Sequence, residues 1–322
     1  MRLRLAFIVA FACAVSHPRA DARVGHPFRG ITYTDRTETS PRPLHMHIAQ
    51  IDLASPGLRF KLSPPKPPLE VVRQTTLAYL KDAHAQIAIN AHFFWPWPSD
   101  EPASSLVGIA ASDGTVYSAF EHPIQRYAIV DEAPGLNIDR ENRAAIVHHD
   151  PASRDATRIV EEVTLWNTVS GSAQIVTDGE ATVPEYRDAQ HPGGLLEPGG
   201  PGNYSNAHSW YDVLVARTAI GLSRDARTLT LFTVDARPST SSGRAEPVER
   251  RGGSGGMRLA EVARVLTKDY AVWNALNLDG GGSTSMAMTD PVTGTAAMVN
   301  ASSDNPAGRR VGSSLLVFAS SR

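Results

Sequence analysis

Two segments in the middle of the chain carry the clearest pattern of apolar and polar positions. Residues 211–222 and 227–235 are both rich in Val, Leu, Ile and Thr, and a four-residue loop separates them. Runs of β-branched and apolar residues around a short loop are typical of two paired strands. The pattern therefore predicts an antiparallel β-hairpin.

The length of the loop suggests a register for this hairpin. If residues 223–226 form the whole turn of the hairpin, Leu222 lies opposite Arg227, and Thr218 lies opposite Leu231. Side chains alternate between the two faces of a strand. We therefore expect Thr218 and Asp235 on the same face as the apolar residues, toward the open end of the hairpin.

Other segments have helical or strand character. Apolar residues repeat with a period of about 3.6 in residues 257–270, which is typical of an amphipathic helix. The remaining predictions are helices at 71–81 and 283–288 and strands at 45–53, 86–90, 275–278 and 312–319. Strand–helix–strand order together with a hairpin predicts an α+β fold with a mixed, largely antiparallel sheet and packed helices.

The N-terminus indicates export. Arg2 and Arg4 precede an apolar run of about 11 residues, and the sequence Ala20-Asp21-Ala22 ends the segment. This is the pattern of a cleaved signal peptide, and the run is shorter than the roughly 20 residues of a membrane-spanning helix. We expect a signal peptide at 1–22, a secreted or periplasmic protein and no stable membrane anchor.

The expected mature chain, residues 23–322, is interpreted as one domain, with an N-terminal strand region at 23–84 and a catalytic core at 85–322. The only cysteine of the sequence, Cys13, lies in the expected signal peptide. The mature chain would therefore contain no cysteine, and no disulfide is expected. Losing three arginines and one aspartate changes the formal charge from -2 to -4. Such a balance does not favour nucleic acid as a partner.

A glycine-rich segment holds the most informative chemistry. The sequence Asn277-Leu278-Asp279-Gly280-Gly281-Gly282-Ser283-Thr284 follows a short apolar strand. Glycines let backbone amides approach an anion, and a helix starting at Ser283 would add its dipole. The segment lacks the lysine and the spacing of the common nucleotide-binding loops. It predicts a phosphate or sugar-phosphate site, with a tight structural turn as the alternative.

Four blocks in a fixed order resemble the conserved core of the phosphodiester glycosidases. They are residues 217–221 (RTAIG), 233–237 (TVDAR), 256–261 (GMRLAE) and 277–284 (NLDGGGST). Weaker matches are 90–94 (NAHFF), where the family has Asn-Gly-Gly-Phe-Phe, and 171–179 (GSAQIVTDG). The resemblance covers roughly residues 86–318. It implies an enzyme that cleaves a sugar from a sugar phosphodiester.

The resemblance and the chemistry together define the candidate site residues. Glycosyl transfer to water usually needs two carboxyl groups, and a phosphodiester leaving group needs positive charge and hydrogen bonds. The candidate catalytic residues are Asp279, Asp235 and Glu261, although Glu261 could instead orient an arginine. The candidate substrate- or phosphate-binding residues are Arg217, Thr218, Arg237, Gly280, Gly281, Gly282, Ser283, Thr284, Asn90 and Asp178.

Histidines and aromatic residues are weaker candidates. His45 and His47 would share one face of a strand, but no zinc-binding spacing such as HExxH is present, so neither a metal site nor a cofactor is expected. The aromatic residues Phe93, Phe94, Trp95 and Trp97 could stack on a sugar ring or could be core residues.

The sequence therefore favours an exported hydrolase that cuts the C–O bond at the anomeric carbon of a sugar-1-phosphodiester. Two alternatives stay open. One is a phosphodiesterase or phosphatase that cuts the P–O bond, which would more often need a two-metal cluster. The other is a non-catalytic module that binds carbohydrate of the cell envelope.

Overall fold

The computed structural model describes residues 20–121, 129–184, 210–236, 255–302 and 305–321. These residues form two α-helices, α1 (Thr76–Ala83) and α2 (Leu259–Asp269). The strands are β1 (Ala20–Phe28), β2 (Ile31–Glu38), β3 (Leu44–Asp52), β4 (Arg59–Leu62), β5 (Val71–Val72), β6 (Gln74–Thr75), β7 (Ile87–Asn90), β8 (Phe94–Trp95), β9 (Ala103–Leu106), β10 (Ala110–Ser112), β11 (Thr115–Ser118), β12 (Gly135–Ile138), β13 (Ala144–Val147), β14 (Asn167–Ser170), β15 (Ala173–Thr177), β16 (Glu180–Ala181), β17 (Arg217–Ser223), β18 (Thr228–Val234), β19 (Val272–Asn277), β20 (Met286–Thr289), β21 (Ala296–Met298), β22 (Arg310–Val311) and β23 (Ser314–Phe318).

Three sheets build the body of the molecule. The largest has the strand order β1-β2-β3-β18-β17-β19-β15-β16, and two five-stranded sheets have the orders β11-β10-β14-β12-β13 and β21-β20-β7-β23-β4. Every pair of neighbouring strands in these sheets is antiparallel. The fold is therefore mostly antiparallel β-structure, and the predicted mixed sheet with packed helices overstated the helical content.

One apolar core lies between the eight-stranded sheet and the two five-stranded sheets. Ile220 and Leu231 enter it from the large sheet, and Ile89 and Leu315 enter it from β7 and β23. The other face of the large sheet packs against α2, and α1 covers the outer face of the sheet that contains β7. Both hairpin strands are thus buried on two faces, which explains their continuous apolar character.

The predicted hairpin is confirmed, but its register differs by two residues. Leu222 pairs with Leu229, and Thr218 pairs with Thr233. Ser223 still belongs to the first strand and Thr228 begins the second, so the turn lies one residue further along than the loop length suggested. A shift of two residues preserves which side chains share a face.

Two predicted helices were wrong or displaced. The segment 71–75 is extended and α1 begins only at Thr76, because the Thr75 side chain accepts the Ala78 N–H and caps the helix there. The segment 283–288 forms the end of a short 3-10 turn and then β20. No helix therefore begins at Ser283.

The expected cleavage site lies inside β1. Residues 1–19 and Cys13 lie outside the described residues, and Arg23, the expected mature N-terminus, pairs with Asp35 of β2. Within the described part of the chain, no helix combines the length and apolar character that crossing a bilayer requires.

Candidate active site

A pocket of about 250 Å³ opens where β19 ends and the glycine-rich segment begins. Its base is formed by the predicted acidic and glycine residues, and its sides are aromatic. The lining residues are Phe93, Phe94, Trp97, Trp210, Asp279, Gly280, Gly281, Gly282, Ser283 and Arg309. The structure thus brings together five of the predicted site residues with four aromatic rings and one arginine.

Asp279 is fixed by its backbone at the base of this pocket. Its N–H donates to Ala91 O at 2.9 Å, and its carbonyl accepts from Asn90 Nδ2 at 2.7 Å. Burial raises the pKa of the Asp279 carboxyl to about 7, against the opposing effects of Ser283, the Arg309 charge and the Gly280 N–H. Both protonation states are therefore populated near neutral pH, which suits a general acid or base.

Asn90 connects three segments around Asp279. Besides its bond to the Asp279 carbonyl, its Oδ1 accepts from Thr218 Oγ1 at 2.8 Å and from Ser285 N–H at 2.9 Å. Asn90 is fully buried and does not line the pocket. Asn90 holds the glycine-rich segment in place from behind the pocket, and Thr218 does so through its bond to Asn90.

Glycine is favoured by a close backbone neighbour at Gly280, by backbone conformation at Gly281 and by the Arg309 side chain at Gly282. A Cβ at Gly280 would lie 2.9 Å from Ala216 O, and a Cβ at Gly282 would lie 2.3 Å from Arg309 Nη2. Gly281 has φ +60°, a conformation that most other residues avoid. The segment is thus a tight turn, which was the structural alternative, and it also lines the pocket.

The backbone amides of this turn are mostly engaged within the protein. Gly281 N–H donates to Ala216 O at 2.8 Å, Thr284 N–H donates to Gly281 O at 3.1 Å, and the Gly280 N–H bonds the Asp279 carboxyl. The expected anion cradle of loop amides and a helix dipole is therefore not built in that form. Positive charge at the pocket comes from Arg309.

Sequence reasoning missed Arg309 and Trp210. Arg309 lies over the Trp97 ring at 4.4 Å, and Trp97 meets Phe94 edge-on at 5.7 Å. Arg309 belongs to no recognised block, and Trp210 precedes the predicted hairpin, so neither carried a signal beyond its residue type. Phe93 and Phe94 are buried core residues that also line the pocket, and their stacking on a sugar ring stays a prediction.

Arg217 lies one layer behind the pocket. Its guanidinium donates to the backbone carbonyls of Trp210, Val213 (2.7 Å) and Met257 (2.9 Å), and it lies 5.1 Å from the centre of the Trp210 ring. Burial lowers its pKa to about 9, so it stays charged at neutral pH. The side chain supports the Trp210 wall and is not among the residues that line the pocket.

Of the predicted hydroxyl residues, one lines the pocket and the others lie behind it. The Ser283 side chain bonds the Asp279 carboxyl and lines the pocket. Thr284 is buried behind it, and its Oγ1 has no hydrogen-bond partner among the described residues. Ser283 alone of the predicted hydroxyl residues therefore reaches the pocket.

Asp235 lies just beyond the end of β18, in a separate polar cluster. Its Oδ1 accepts from Asn300 Nδ2 (3.0 Å), Ala301 N–H (3.0 Å) and Ser302 Oγ (2.9 Å). Burial raises the pKa of this carboxyl, but the nearby His47 ring and hydrogen bonds from Asn300 and Ser302 outweigh burial and lower it. Asn300 Nδ2 also donates to Thr284 O at 3.0 Å, which links the cluster to the glycine turn.

Glu261 is engaged by Arg42. Its two carboxylate oxygens accept from Arg42 at 2.6 and 3.0 Å, and Oε2 also accepts the Arg258 N–H. Burial raises the pKa of Glu261, while Arg42 and the Arg258 N–H together bring it below its usual value. Arg42 also donates to Gly256 O, so the geometry favours the alternative in which Glu261 orients an arginine.

Asp178 does not line this pocket. Asp178 is exposed in the turn between β15 and β16, where its Oδ1 accepts from Trp273 Nε1 at 3.1 Å. Trp273 is near the start of β19, whereas Asp279 follows the end of that strand. Arg237 lies outside the described residues.

Several solved structures have a fold similar to that of this chain. The catalytic domain of zebrafish N-acetylglucosamine-1-phosphodiester alpha-N-acetylglucosaminidase, auto-inhibited by its pro-peptide, matches with a TM-score of 0.57 at 20% identity, covering 94% of this chain and 85% of that chain. A hypothetical protein from Synechocystis matches with a TM-score of 0.59 at 14% identity, covering 94% and 68%. A protein from Burkholderia pseudomallei described as exported matches with a TM-score of 0.60 at 13% identity, covering 94% and 97%.

At such identities these likenesses establish the fold. No curated protein sequence matches the chain. The family model described as phosphodiester glycosidase matches residues 83–318, which is most of the chain and contains every residue that lines the pocket. The chain therefore belongs to the phosphodiester glycosidase family.

Proposed function

We propose that this protein is an exported glycosidase that hydrolyses a sugar-1-phosphodiester at the anomeric C–O bond. The observation that carries the proposal is Asp279, a carboxyl group with a pKa of about 7 at the base of a pocket with aromatic sides and one arginine. Family membership supports hydrolysis of this general class. The bond that breaks and the roles of the residues are the proposal.

The pocket has complementary parts for the two halves of such a substrate. Aromatic faces such as those of Trp97 and Trp210 suit the apolar face of a sugar ring. Arg309 can hold the phosphate by charge-assisted hydrogen bonds. The described lining contains a single carboxylate and no histidine, whereas phosphodiesterases with two metal ions need several such ligands. This composition favours attack at carbon over attack at phosphorus.

In the proposed reaction, Asp279 acts as a general base. Its ionised form takes a proton from water while the water oxygen bonds the anomeric carbon. The bond from that carbon to the phosphate oxygen breaks, and the electron pair leaves with the phosphate monoester. Arg309 stabilises the developing negative charge, so no strong acid is needed for the leaving group. The proton on Asp279 is then released to solvent.

The other two carboxylates act through their neighbours in this proposal. Glu261 fixes Arg42 and the chain before α2, and Asp235 fixes Asn300 next to the glycine turn. Neither lines the described pocket. They are positioning residues, and Asp279 is the catalytic residue.

Hydrolysis in oxygen-18 water tests the bond that breaks. The purified protein would be incubated with a panel of sugar-1-phosphate methyl diesters, and the products would be analysed by mass spectrometry. We expect the label in the sugar hydroxyl. Label in the phosphate would establish P–O cleavage instead, and saturable binding without turnover of any member would favour the carbohydrate-binding module.

The pH dependence of the same reaction tests the role of Asp279. A general base must be ionised, so kcat should rise as pH passes through about 7 and then level off. A rate that falls over this range would assign Asp279 as the acid. The Asp279→Asn variant, which cannot ionise at this position, is the control that should lose this limb of the profile.

A further inference from the structure

A second group of titratable side chains lies where β2 and β3 approach Asp235. His45 and His47 project from the same face of β3, as their spacing predicted, and Asp35 pairs with His47 across β2 and β3. His45 and His47 rings lie 4.2 Å apart between centres. None of these residues lines the pocket at Asp279.

From this arrangement we propose that His45, His47 and Asp235 bind one divalent transition-metal ion of the zinc class. Asp235 Oδ2 lies 3.6 Å from His45 Nδ1 and 3.6 Å from His47 Nε2. Both separations are too long for hydrogen bonds. They are close to the separation of about 3.3 Å between neighbouring ligand atoms around a tetrahedral ion with bonds of about 2.0 Å.

His47 supplies the first independent reason for an ion. Its side chain is 1% exposed, and its Nε2 makes no hydrogen bond to the described residues. A buried polar atom without a partner costs roughly 1–3 kcal/mol. A metal ion between His47 and Asp235 would give this nitrogen a direct bond that the described residues do not provide.

His45 supplies the second reason, because each of its ring nitrogens faces a carboxylate. Nε2 lies 2.7 Å from Asp35 Oδ1, and Nδ1 lies 3.6 Å from Asp235 Oδ2. A neutral imidazole has one N–H and one lone pair. If the N–H is donated to Asp35, the lone pair at Nδ1 faces the negative charge of Asp235. A cation between them would be bound by the lone pair of His45 and by the charge of Asp235.

The surrounding groups have the arrangement of an outer shell around a metal ion. Asp35 orients His45 through the nitrogen that does not face the ion, and the Tyr33 hydroxyl contacts His47 Nδ1 at 2.7 Å. Carboxylate–histidine–metal chains of this kind fix the tautomer and orientation of the ring. Asp235 Oδ1 is already bonded by Asn300, Ala301 and Ser302, which turns Oδ2 toward the histidines.

The site is accessible, and its ion would affect the glycine turn. His45 and Asp35 are partly exposed, so a cation can enter from solvent. Asn300 joins Asp235 to Thr284 O, so an ion that fixes Asp235 also fixes the segment behind the pocket. The ion is structural in this proposal, which does not depend on the proposed substrate. It departs from the expectation, drawn from sequence spacing, that no metal binds.

Metal titration of the purified full-length protein tests the site. After dialysis against a chelator, Co²⁺ would be titrated while visible absorption is recorded, and Zn²⁺ would be titrated by calorimetry. We expect one equivalent of each ion, absorption bands typical of tetrahedral Co²⁺, and a melting temperature that rises with Zn²⁺. The His45→Gln variant should bind Zn²⁺ at least about tenfold more weakly.

A matched control and two acidic variants make the result decisive. His148 is an exposed histidine paired with Glu161 at 2.7 Å, and His148→Gln should bind Zn²⁺ as the unchanged protein does. Asp235→Asn should weaken binding more than Asp35→Asn, because Asp235 is the ligand and Asp35 orients His45. Circular dichroism checks that each variant is folded.

Several outcomes would overturn the proposal. These are no saturable binding by the unchanged protein, equal affinity of His45→Gln, or an equal loss in His148→Gln, which would indicate adventitious surface binding. The ligand atoms of Asp35, His45 and His47 also lie within 4.8 Å of one another. If Asp35→Asn abolishes binding while Asp235→Asn retains it, the ion binds to Asp35 and the assignment of Asp235 is wrong. All readouts are independent of catalysis.

Discussion

Asp279 and Asp235 occupy similar positions and have opposite electrostatic properties. Each lies just beyond the end of a strand of the eight-stranded sheet, and they are 7% and 5% exposed. The pKa of Asp279 is raised to about 7, whereas that of Asp235 is lowered. Burial raises the pKa in both cases, so burial alone does not explain the difference.

The hydrogen-bond donors decide between the two carboxylates. Asp235 is surrounded by Asn300, Ala301 N–H, Ser302 and His47, which together favour its ionised form. Asp279 has fewer opposing contacts, and for it burial dominates. A carboxylate that is well solvated by the protein is suited to structure or metal binding, and a poorly solvated one is suited to proton transfer.

The strongest test of this contrast exchanges each carboxylate for its amide. Asp279→Asn should lower kcat by about 10² to 10⁴, the usual contribution of a general acid or base, without lowering the melting temperature. Asp235→Asn should mainly lower the melting temperature, because Asp235 accepts several buried hydrogen bonds. Steady-state kinetics and thermal melts would be measured for both variants.

Asp178→Asn is the control for these two variants, since Asp178 is an exposed carboxylate that accepts from Trp273, at the opposite end of β19 from Asp279. It should leave kcat unchanged. Near-normal turnover of Asp279→Asn would retire Asp279 as the catalytic group and transfer the role to Asp235 or Glu261.

The pH dependence of stability should have opposite signs for the two groups. Because the pKa of Asp279 is raised in the folded state, the folded protein binds more protons than the unfolded chain between about pH 4 and 7. Asp279 therefore removes up to about 4 kcal/mol of stability as pH rises through this window. Asp235 contributes stability above its unfolded pKa and loses it as pH falls through its lower folded pKa.

Chemical denaturation of the Asn variants across pH measures both effects. Relative to the unchanged protein, Asp279→Asn should gain stability toward pH 7, and Asp235→Asn should lose stability there and approach it in acid. The same sign for both variants would remove the contrast between the two carboxylates.

Substitution of Arg217 tests the structural support between the surroundings of Asp279 and those of Asp235. It begins β17, which pairs with β18 on one side and β19 on the other. Arg217→Lys keeps the charge but cannot make the same bonds to the carbonyls of Trp210, Val213 and Met257. We expect a loss of about 2–3 kcal/mol in the free energy of unfolding, measured by urea denaturation. A raised KM at unchanged stability would instead support direct contact with phosphate.

The smallest expected effect concerns Arg309, which partly offsets the burial of Asp279. Arg309→Gln should raise KM about tenfold, through the loss of a charge-assisted contact to phosphate. Because the Arg309 charge lowers the pKa of Asp279, the kcat profile should also shift to higher pH. The neighbouring Arg310 is exposed, and Arg310→Gln should change neither quantity. An unshifted profile in Arg309→Gln would show that the Arg309 charge does not influence the pKa of Asp279.

The alternation of side chains made part of the fold predictable. Thr218 and Asp235 lie on the expected side of their strands even though the register was wrong by two residues, because a shift of two preserves the faces. Helices were predicted too freely. Segments such as 71–75 and 286–289 become strands through pairing with distant segments, which a local pattern does not contain.

The candidate site was predictable in its centre and less so at its edges. Asp279, the three glycines and Ser283 follow one another in the chain and reach the pocket together. Arg217 and Glu261 have suitable chemistry, but their charged groups bond backbone carbonyls and Arg42. Arg309 reaches the pocket from a segment without a motif. Residue type shows which charges are present, and only packing decides where each one points.

The sequence by itself determined the main apolar faces, the glycine turn after β19 and the family to which these blocks belong, because each is written in contiguous residues. The tertiary structure alone decided the protonation of Asp279 and Asp235 and the meeting of His45 and His47 with Asp235. Electrostatic interactions and desolvation depend on distances of a few ångströms between groups. Those distances are set by antiparallel pairing of strands that lie far apart in the chain, such as β3 with β18.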